Sequence, residues 1–277
     1  MDIKDLTEIS VITLIMCSKH LIAAIVAISG LGTIALCRPG AAACSVSAHE
    51  QCMWLSDMVF FQGKLYAIDT NEDLLSIDIV DELDNDRPRV SRIDRIIEGE
   101  PQPPQSYPKS MLCLLESHGT LLMVRRKMNS KRYTVYMSGK EVSVEMEHRV
   151  GSSEFQVLEA DLKRLLWAEV RSLGNEVALF IGRGCSLAVH VSPYDLSRDC
   201  IFFMDDYTGD TDGWSSKTTT YCSLFDMKDG KVYSPLWMVS WKSGHLPATW
   251  LFSEGTHIGP FMLQALSIDK SNSLTLS

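Results

Sequence analysis

The segment "MVFFQGKLYAID" (residues 58–69) consists of an apolar run, a turn that ends in glycine, and a second run in which apolar and polar residues alternate. Such alternation is typical of a half-buried β-strand. The same plan recurs in "CLLESHGTLLMV" (113–124), "AEVRSLGNEVALFI" (168–181) and "SLFDMKDGKVYSPL" (223–236). The turn glycines are separated by 56, 55 and 56 residues: Gly63, Gly119, Gly174 and Gly230. The sequence therefore repeats a strand–turn–strand unit, and we expect a hairpin at each glycine.

A second set of turn signals follows nearly the same period and lies between these glycines. Its members are Ser29-Gly30, Asn85-Asp86, Ser138-Gly139 and Pro193. Two hairpins per unit make a four-stranded blade, and a regular period of short strands is the sequence signature of a β-propeller. We therefore predict an all-β, β-propeller-like fold with kelch-like four-stranded blades and a period of about 56 residues. Because only a leading hairpin precedes the first full period, the first blade is predicted to be incomplete at the N-terminus.

The stretch before the first repeat allows other interpretations. Residues 21–37 carry no charge, so a membrane anchor formed by residues 9–37 is an alternative. Gly30, Gly32 and Ala35 also fit the G-x-G-x-x-A fingerprint of a dinucleotide site. Pro39 and Gly40 would end the required helix after about one turn, which argues against that site. The repeat favours two strands joined by a turn near residue 30.

Composition restricts the function further. The 277 residues carry a formal net charge of -9, which argues against a nucleic-acid partner because phosphate binding needs a clustered basic surface. The densest basic run, Arg125–Lys127 with Lys131 and Arg132, is predicted to be a solvated hairpin. None of the eight cysteines forms C-x-x-C, so we expect reduced, mostly buried thiols in an intracellular protein of the cytoplasm, the nucleus or both. We expect no metal and no cofactor.

Two regions are candidates for contact with a partner. Arg183 lies between two glycines, at the expected tip of a tight hairpin. Asp205 and Asp206 begin an acidic segment that ends at Gly213, followed by Trp214, and we expect a solvated loop there. This loop lacks the first Asp and the final Glu of a calcium-binding EF-hand. No Ser-His-Asp or Cys-His grouping has supporting local context, so we predict no catalytic residue.

Three segments carry a family resemblance: "LGNEVALFIGRGCSLAVHVSPYDLSRDCIFFMDD" (173–206), "YCSLFDMKDGKVYSPL" (221–236) and "LPATW" (246–250). Their marks are an F-x-G-x-G-x-S-x-A-V run, a D-C-I-x-F-x-D-D run and a D-M-x-D-G turn. They closely resemble the plant F-box-associated proteins, whose C-terminal region is catalogued as domain of unknown function 295 (DUF 295), a KIB-type β-propeller. The resemblance covers about residues 20–252.

The resemblance implies a propeller that recruits a target for ubiquitination, with an N-terminal F-box that docks to a Skp1-type adaptor. The residues before His20 are too few for the three helices of an F-box, so we do not expect a Skp1-type adaptor as partner. The predicted organisation is an N-terminal segment (1–18), a propeller of the DUF 295 type (19–252) and a C-terminal tail (253–277). The predicted function is a non-enzymatic protein-interaction propeller with an unknown protein partner. A propeller hydrolase or sugar-binding protein is the alternative, and a membrane-anchored protein is the second alternative.

Overall fold

The computed structural model describes residues 9–28, 31–81, 87–99, 110–128, 130–137, 140–147, 153–182, 185–191, 198–209 and 217–241. Within these ranges the regular structure is β-strand, apart from one turn of 3₁₀-helix at Glu50–Trp54. The all-β prediction is confirmed. These residues fall into two compact units, the first within 1–104, 112–125 and 157–169, and the second within 105–111, 126–156 and 170–277.

The first sheet has four antiparallel strands in chain order: β1 (Ile9–Ser18), β2 (Leu21–Ile28), β3 (Leu31–Cys37) and β4 (Ser45–Val46). The first blade is therefore four-stranded, and the prediction of an incomplete first blade is wrong. Residues 9–18 belong to this blade rather than to a separate N-terminal segment. The long uncharged stretch at residues 21–37 contains β2 and β3, two largely buried strands that pair with each other.

The second sheet follows the predicted plan closely. Its strands are β5 (Leu55–Phe61), β6 (Lys64–Asp69), β7 (Leu74–Val80) and β8 (Arg89–Ile97), again in chain order. The β5–β6 turn contains Gly63 at φ 80°, a left-handed conformation that glycine adopts without steric cost.

The third sheet contains an insertion. Its strand order is β14-β13-β10-β9. The strands are β9 (Ser110–Ser117), β10 (Thr120–Met128), β13 (Ser153–Asp161) and β14 (Leu166–Val170). Between β10 and β13 the chain forms a separate two-stranded hairpin from β11 (Ser130–Met137) and β12 (Lys140–Glu147). The predicted turn near residue 139 therefore belongs to this added hairpin.

The last sheet has five strands in the order β16-β15-β17-β18-β19. They are β15 (Val177–Ile181), β16 (Leu187–His190), β17 (Cys200–Gly209), β18 (Lys217–Asp226) and β19 (Lys231–Trp241). Strands β15 and β17 pair in parallel, whereas the pairings β15–β16, β17–β18 and β18–β19 are antiparallel. Gly174 lies between β14 and β15, which belong to different sheets, so the prediction of a hairpin there is wrong. Gly119 and Gly230 do lie in hairpin turns.

Two apolar clusters form the core of the first unit. One packs the first sheet against the second, and its fully buried members include Ile25, Ile34, Leu36, Leu65 and Ile77. The other packs the second sheet against the third, through residues that include Ile68, Leu74, Ile97, Leu121 and Met123. Because side chains alternate between the two faces of a strand, the second sheet contributes to both clusters.

In the second unit, aromatic rings pack around one buried arginine. Phe155 lies 4.8 Å from Phe203 and 4.9 Å from Phe225, measured between ring centroids. The Arg126 guanidinium carbon lies 4.4 Å from the centroid of the Phe203 ring, within cation–π distance. Arg126 also donates hydrogen bonds to the Ser153 hydroxyl. The prediction of a solvated basic run is therefore wrong for Arg125 and Arg126, since both are buried.

Gly99 provides a direct test of close packing in the first unit. Its amide donates to the Asp73 carboxylate at 2.7 Å, and a Cβ at this position would lie 1.9 Å from the Asn71 carbonyl oxygen. We expect Gly99→Ala to lower the free energy of unfolding by about 2 kcal/mol, measured by urea denaturation. Gly119→Ala is the control, because that Cβ meets nothing within 4 Å and only the backbone conformation opposes it, at about 1 kcal/mol. An equal or smaller loss for Gly99→Ala would contradict this packing.

Candidate partner-binding surface

The structure describes two of the four predicted contact residues. Asp205 and Asp206 lie in strand β17, which continues to Gly209 because β18 pairs with it over its whole length. The prediction that these two aspartates belong to a loop is therefore wrong, and their role in partner contact stays a prediction. Arg183 and Trp214 lie outside the described residues.

Strand β1 carries an exposed apolar surface that the sequence analysis did not identify. It lies at the edge of the first sheet and pairs with β2. Five of the twelve large hydrophobic side chains that are exposed in the described residues lie on this one strand. They are Ile9 (64% exposed), Val11 (60%), Ile12 (41%), Leu14 (54%) and Met16 (65%). We call these five residues the β1 surface.

The register of β1 against β2 explains why these side chains are exposed. Directly opposite residues of paired strands share a face of the sheet. Leu14 pairs with Ala24, whereas Thr13 pairs with Ile25, which is buried against the second sheet. A register shift between Val11 and Thr13 marks a β-bulge, and it places Val11 on the same face as Leu14. Four of the five residues therefore share one face, and Ile12 lies at the bulge.

The chemistry of the β1 surface is uniform. Residues 9–18 include no charged side chain. On the same face of the sheet, Ala24, Val26 and Ala35 form an apolar cluster that is already buried, so these three residues add little to the exposed surface of β1. A contiguous exposed apolar patch of this kind is typical of a protein–protein contact. The signal available in the sequence was the uncharged run itself, but the sequence does not show which face the rest of the fold covers.

A buried carboxylate holds β1 in place. Asp57 follows a register shift in β5 and accepts three hydrogen bonds. The donors are the Thr13 hydroxyl on β1 (3.3 Å), the Met58 amide (2.9 Å) and the Leu114 amide on β9 (2.9 Å). Burial raises the pKa of Asp57 to about 6, because the loss of solvation outweighs the hydrogen bonds that favour its charged form. Asp57 thus links the edge strands of three consecutive sheets and fixes the inward face of β1.

A second buried polar group joins the second and third sheets. Glu72 lies in the β6–β7 turn at φ 68°, and its carboxylate accepts hydrogen bonds from both Nε (2.6 Å) and Nη2 of Arg125 on β10. The Trp167 indole N–H on β14 donates to the Glu72 carbonyl oxygen at 2.9 Å. Both members of the ion pair are buried, so this group is part of the internal packing of the unit rather than a solvent-facing site.

The described residues show little capacity for metal binding or nucleophilic chemistry. No group of three or more His, Cys, Asp or Glu in that part of the chain could hold a metal ion. Burial raises the pKa of the Cys17 thiol to about 11 and of the Cys200 and Cys222 thiols to about 12. Such thiols stay protonated and are poor nucleophiles. No helix in the described part of the chain is long and apolar enough to cross a membrane.

Two cysteines depart from the prediction of reduced thiols. Cys37 and Cys44 form a disulfide, whereas the other six cysteines, all within the described residues, are not disulfide-bonded. The Arg38–Gly40 turn reverses the chain after β3 and brings β4 back beside it, so the two thiols meet. The prediction that all cysteines are reduced is therefore wrong for this pair.

The first three sheets pack face to face through apolar clusters, as successive blades of a β-propeller do. Residues 6–234 match the family model described as the KIB1-4 beta-propeller, and the chain belongs to that family. The match confirms the KIB-type resemblance seen in the sequence, and it begins before β1, so that strand is part of the family domain. Comparison with curated proteins and with solved structures gave no significant match.

Proposed function

We propose that the chain is a non-enzymatic protein-interaction β-propeller whose β1 surface binds an uncharged, apolar surface of a second protein. One observation carries the proposal: five exposed large hydrophobic residues lie together on one edge strand that has no charged residue. Apolar residues exposed singly need no explanation, but a contiguous patch of this kind favours a contact that excludes water.

The arrangement of the carboxylates supports a binding role over a hydrolytic one. The buried acidic side chains of the described residues are Asp57, Glu72 and Asp199, and their carboxylates accept hydrogen bonds from backbone amides, hydroxyl groups or Arg125. A glycosidase instead needs a pair of carboxylates that face a substrate. The acidic net charge of -9 supports a protein partner rather than a nucleic acid, and we propose an intracellular location for the complex.

The proposal predicts that charge on the β1 surface abolishes partner binding. We expect the double variant Leu14→Asp/Met16→Asp to recover at least about tenfold less partner than the wild type, because burying an unpaired charge in an apolar contact is costly. The measurement is affinity purification of the tagged chain with quantitative mass spectrometry. Leu165→Asp/Leu166→Asp is the matched control, since these leucines are also exposed but lie at the start of β14.

The outcomes separate the possible partners. Equal recovery by the β1 variant and the wild type, with both folded by circular dichroism, would contradict the proposal. We expect the isolated chain to be monomeric by light scattering, and a dimer that the β1 variant dissociates would assign the surface to self-association instead. Recovery of a Skp1-type adaptor would contradict the prediction made from the sequence.

A further inference from the structure

The Cys37–Cys44 disulfide is accessible from solvent. Cys37 ends β3 and is partly exposed, whereas Cys44 is exposed and directly precedes β4. A thiolate in solution can therefore reach the Cys44 sulfur. Thiol–disulfide exchange requires this access, because the attacking thiolate must approach one of the two sulfur atoms directly.

The remaining six cysteines provide a contrast within the same chain. Burial is the largest cause of a raised pKa for four of them: Cys17, Cys52, Cys200 and Cys222. Cys113 is also buried, and Cys185 is half-buried. A thiol that stays protonated and buried does not exchange readily. Among the eight cysteines, all of which the structure describes, Cys44 is the only exposed one.

The disulfide closes the link between β3 and a very short strand. β4 has two residues, and its pairing with β3 joins Val46 to Ala35 and Ser45 to Leu36. The chain is anchored again at Ser47, whose amide donates to the Ile34 carbonyl at 2.8 Å. The Ser47 carbonyl in turn accepts from the Thr33 hydroxyl at 2.7 Å. The segment that depends on the disulfide thus runs from residue 38 to residue 46.

We propose that Cys37–Cys44 is a reversible thiol–disulfide exchange site for a low-molecular-weight thiol of the glutathione class, and that its reduction releases β4. The first thiolate attacks the Cys44 sulfur, forms a mixed disulfide with it and expels Cys37 as a thiolate. A second thiolate then attacks the sulfur of the attached small thiol, which releases Cys44 as a thiolate. The protein disulfide gains two electrons and two small thiols become one disulfide, so the exchange is balanced.

Release of β4 changes the outer edge of the first sheet. β4 is the last strand in that sheet, and Val46 is exposed at the edge. A pocket of about 250 Å³ adjoins the strand, and its lining includes Ser45 and Val46 of β4 and Arg89 and Val90 of β8. The ion pair between Arg38 and Asp81 (2.7 Å) contains no sulfur and remains possible in the reduced form. Reduction therefore loosens β4 and this pocket wall without removing the contact of the turn with the end of β7.

Thiol labelling tests the exchange itself. The full chain is equilibrated at fixed pH in mixtures of reduced and oxidised glutathione and labelled with N-ethylmaleimide without denaturant, and the labels are located by peptide mass spectrometry. We expect no label on Cys37 or Cys44 in oxidised glutathione, label on both after reduction, and recovery of the unlabelled state on reoxidation. Labelling of both in oxidised glutathione, or reduction that requires unfolding, would overturn the proposal.

Hydrogen exchange tests the release of β4. On reduction we expect the amides of residues 38–46 to exchange on the order of tenfold faster, while β2 and the amide of Ser47 remain unchanged. Cys44→Ser should show the fast exchange in oxidised glutathione as well. Cys185→Ser, which alters a cysteine outside the disulfide, should behave as the wild type. Exchange in residues 38–46 that is the same in both redox states would show that the disulfide does not hold β4, and it would overturn the proposal.

Discussion

Glu72→Gln is expected to lower the free energy of unfolding by about 3–5 kcal/mol. The substitution removes the negative charge that faces the buried Arg125 guanidinium and leaves the hydrogen bond from Trp167 to the backbone of residue 72 in place. The Arg125 guanidinium then remains buried without the Glu72 carboxylate, and this is the source of the loss.

Chemical denaturation of the purified variant measures this effect, and a double variant controls for it. Glu72→Leu/Arg125→Leu removes both charges together, so we expect a smaller loss than for Glu72→Gln alone. A Glu72→Gln variant as stable as the wild type would show that the carboxylate contributes nothing to the packing of β10. The same result would contradict the link between the second and third sheets described above.

Asp57 is expected to make the stability of the fold depend on pH. Its pKa is raised from 3.8 to about 6 in the folded chain. Below 3.8 the carboxyl is protonated in both the folded and the unfolded state. As the pH rises from there to about 6, the unfolded chain releases this proton while the folded chain retains it, so stability falls. The total loss across this window is about 3 kcal/mol, and it is complete once the pH exceeds the folded pKa.

The measurement compares the wild type with Asp57→Asn in a series of denaturation curves across this pH window. Because asparagine does not titrate there, the wild type should lose stability relative to the variant as the pH rises. Asp57→Asn also places an amide N–H₂ group near backbone donors, which lowers the stability of the variant at every pH. The informative quantity is therefore how the stability difference between the two proteins changes with pH. A difference between the two proteins that does not change with pH, or that changes in the opposite direction, would contradict the raised pKa.

Local signals in the sequence were sufficient to predict three of the hairpins. The turns at Gly63, Gly119 and Gly230 were predicted because a glycine at positive φ joins two alternating strands, and both features are visible within about a dozen residues. Gly174 has the same local signal, yet the strands on its two sides belong to different sheets. Strand pairing is decided by distant partners, so a local pattern does not separate a hairpin from a connection between sheets.

Burial explains the other differences between sequence and structure. Arg125 and Arg126 form the densest basic run and were expected in solvent, but Glu72 and the ring of Phe203 hold their guanidinium groups inside the fold. These partners are 53 and 77 residues away in the chain, beyond any local pattern. The β1 surface was missed for the related reason that the uncharged run at residues 9–18 does not show which of its faces another sheet covers.

The central claim is that β1 is the strand through which this propeller binds a second protein. Hydrogen exchange on the isolated complex, compared with the free chain, tests it most directly. We predict slower exchange of the outward-facing amides of Ile9–Ser18 in the complex, with β5–β8 unchanged. A stable complex in which Ile9–Ser18 exchanges as fast as in the free chain would contradict the claim and place the contact elsewhere on the molecule.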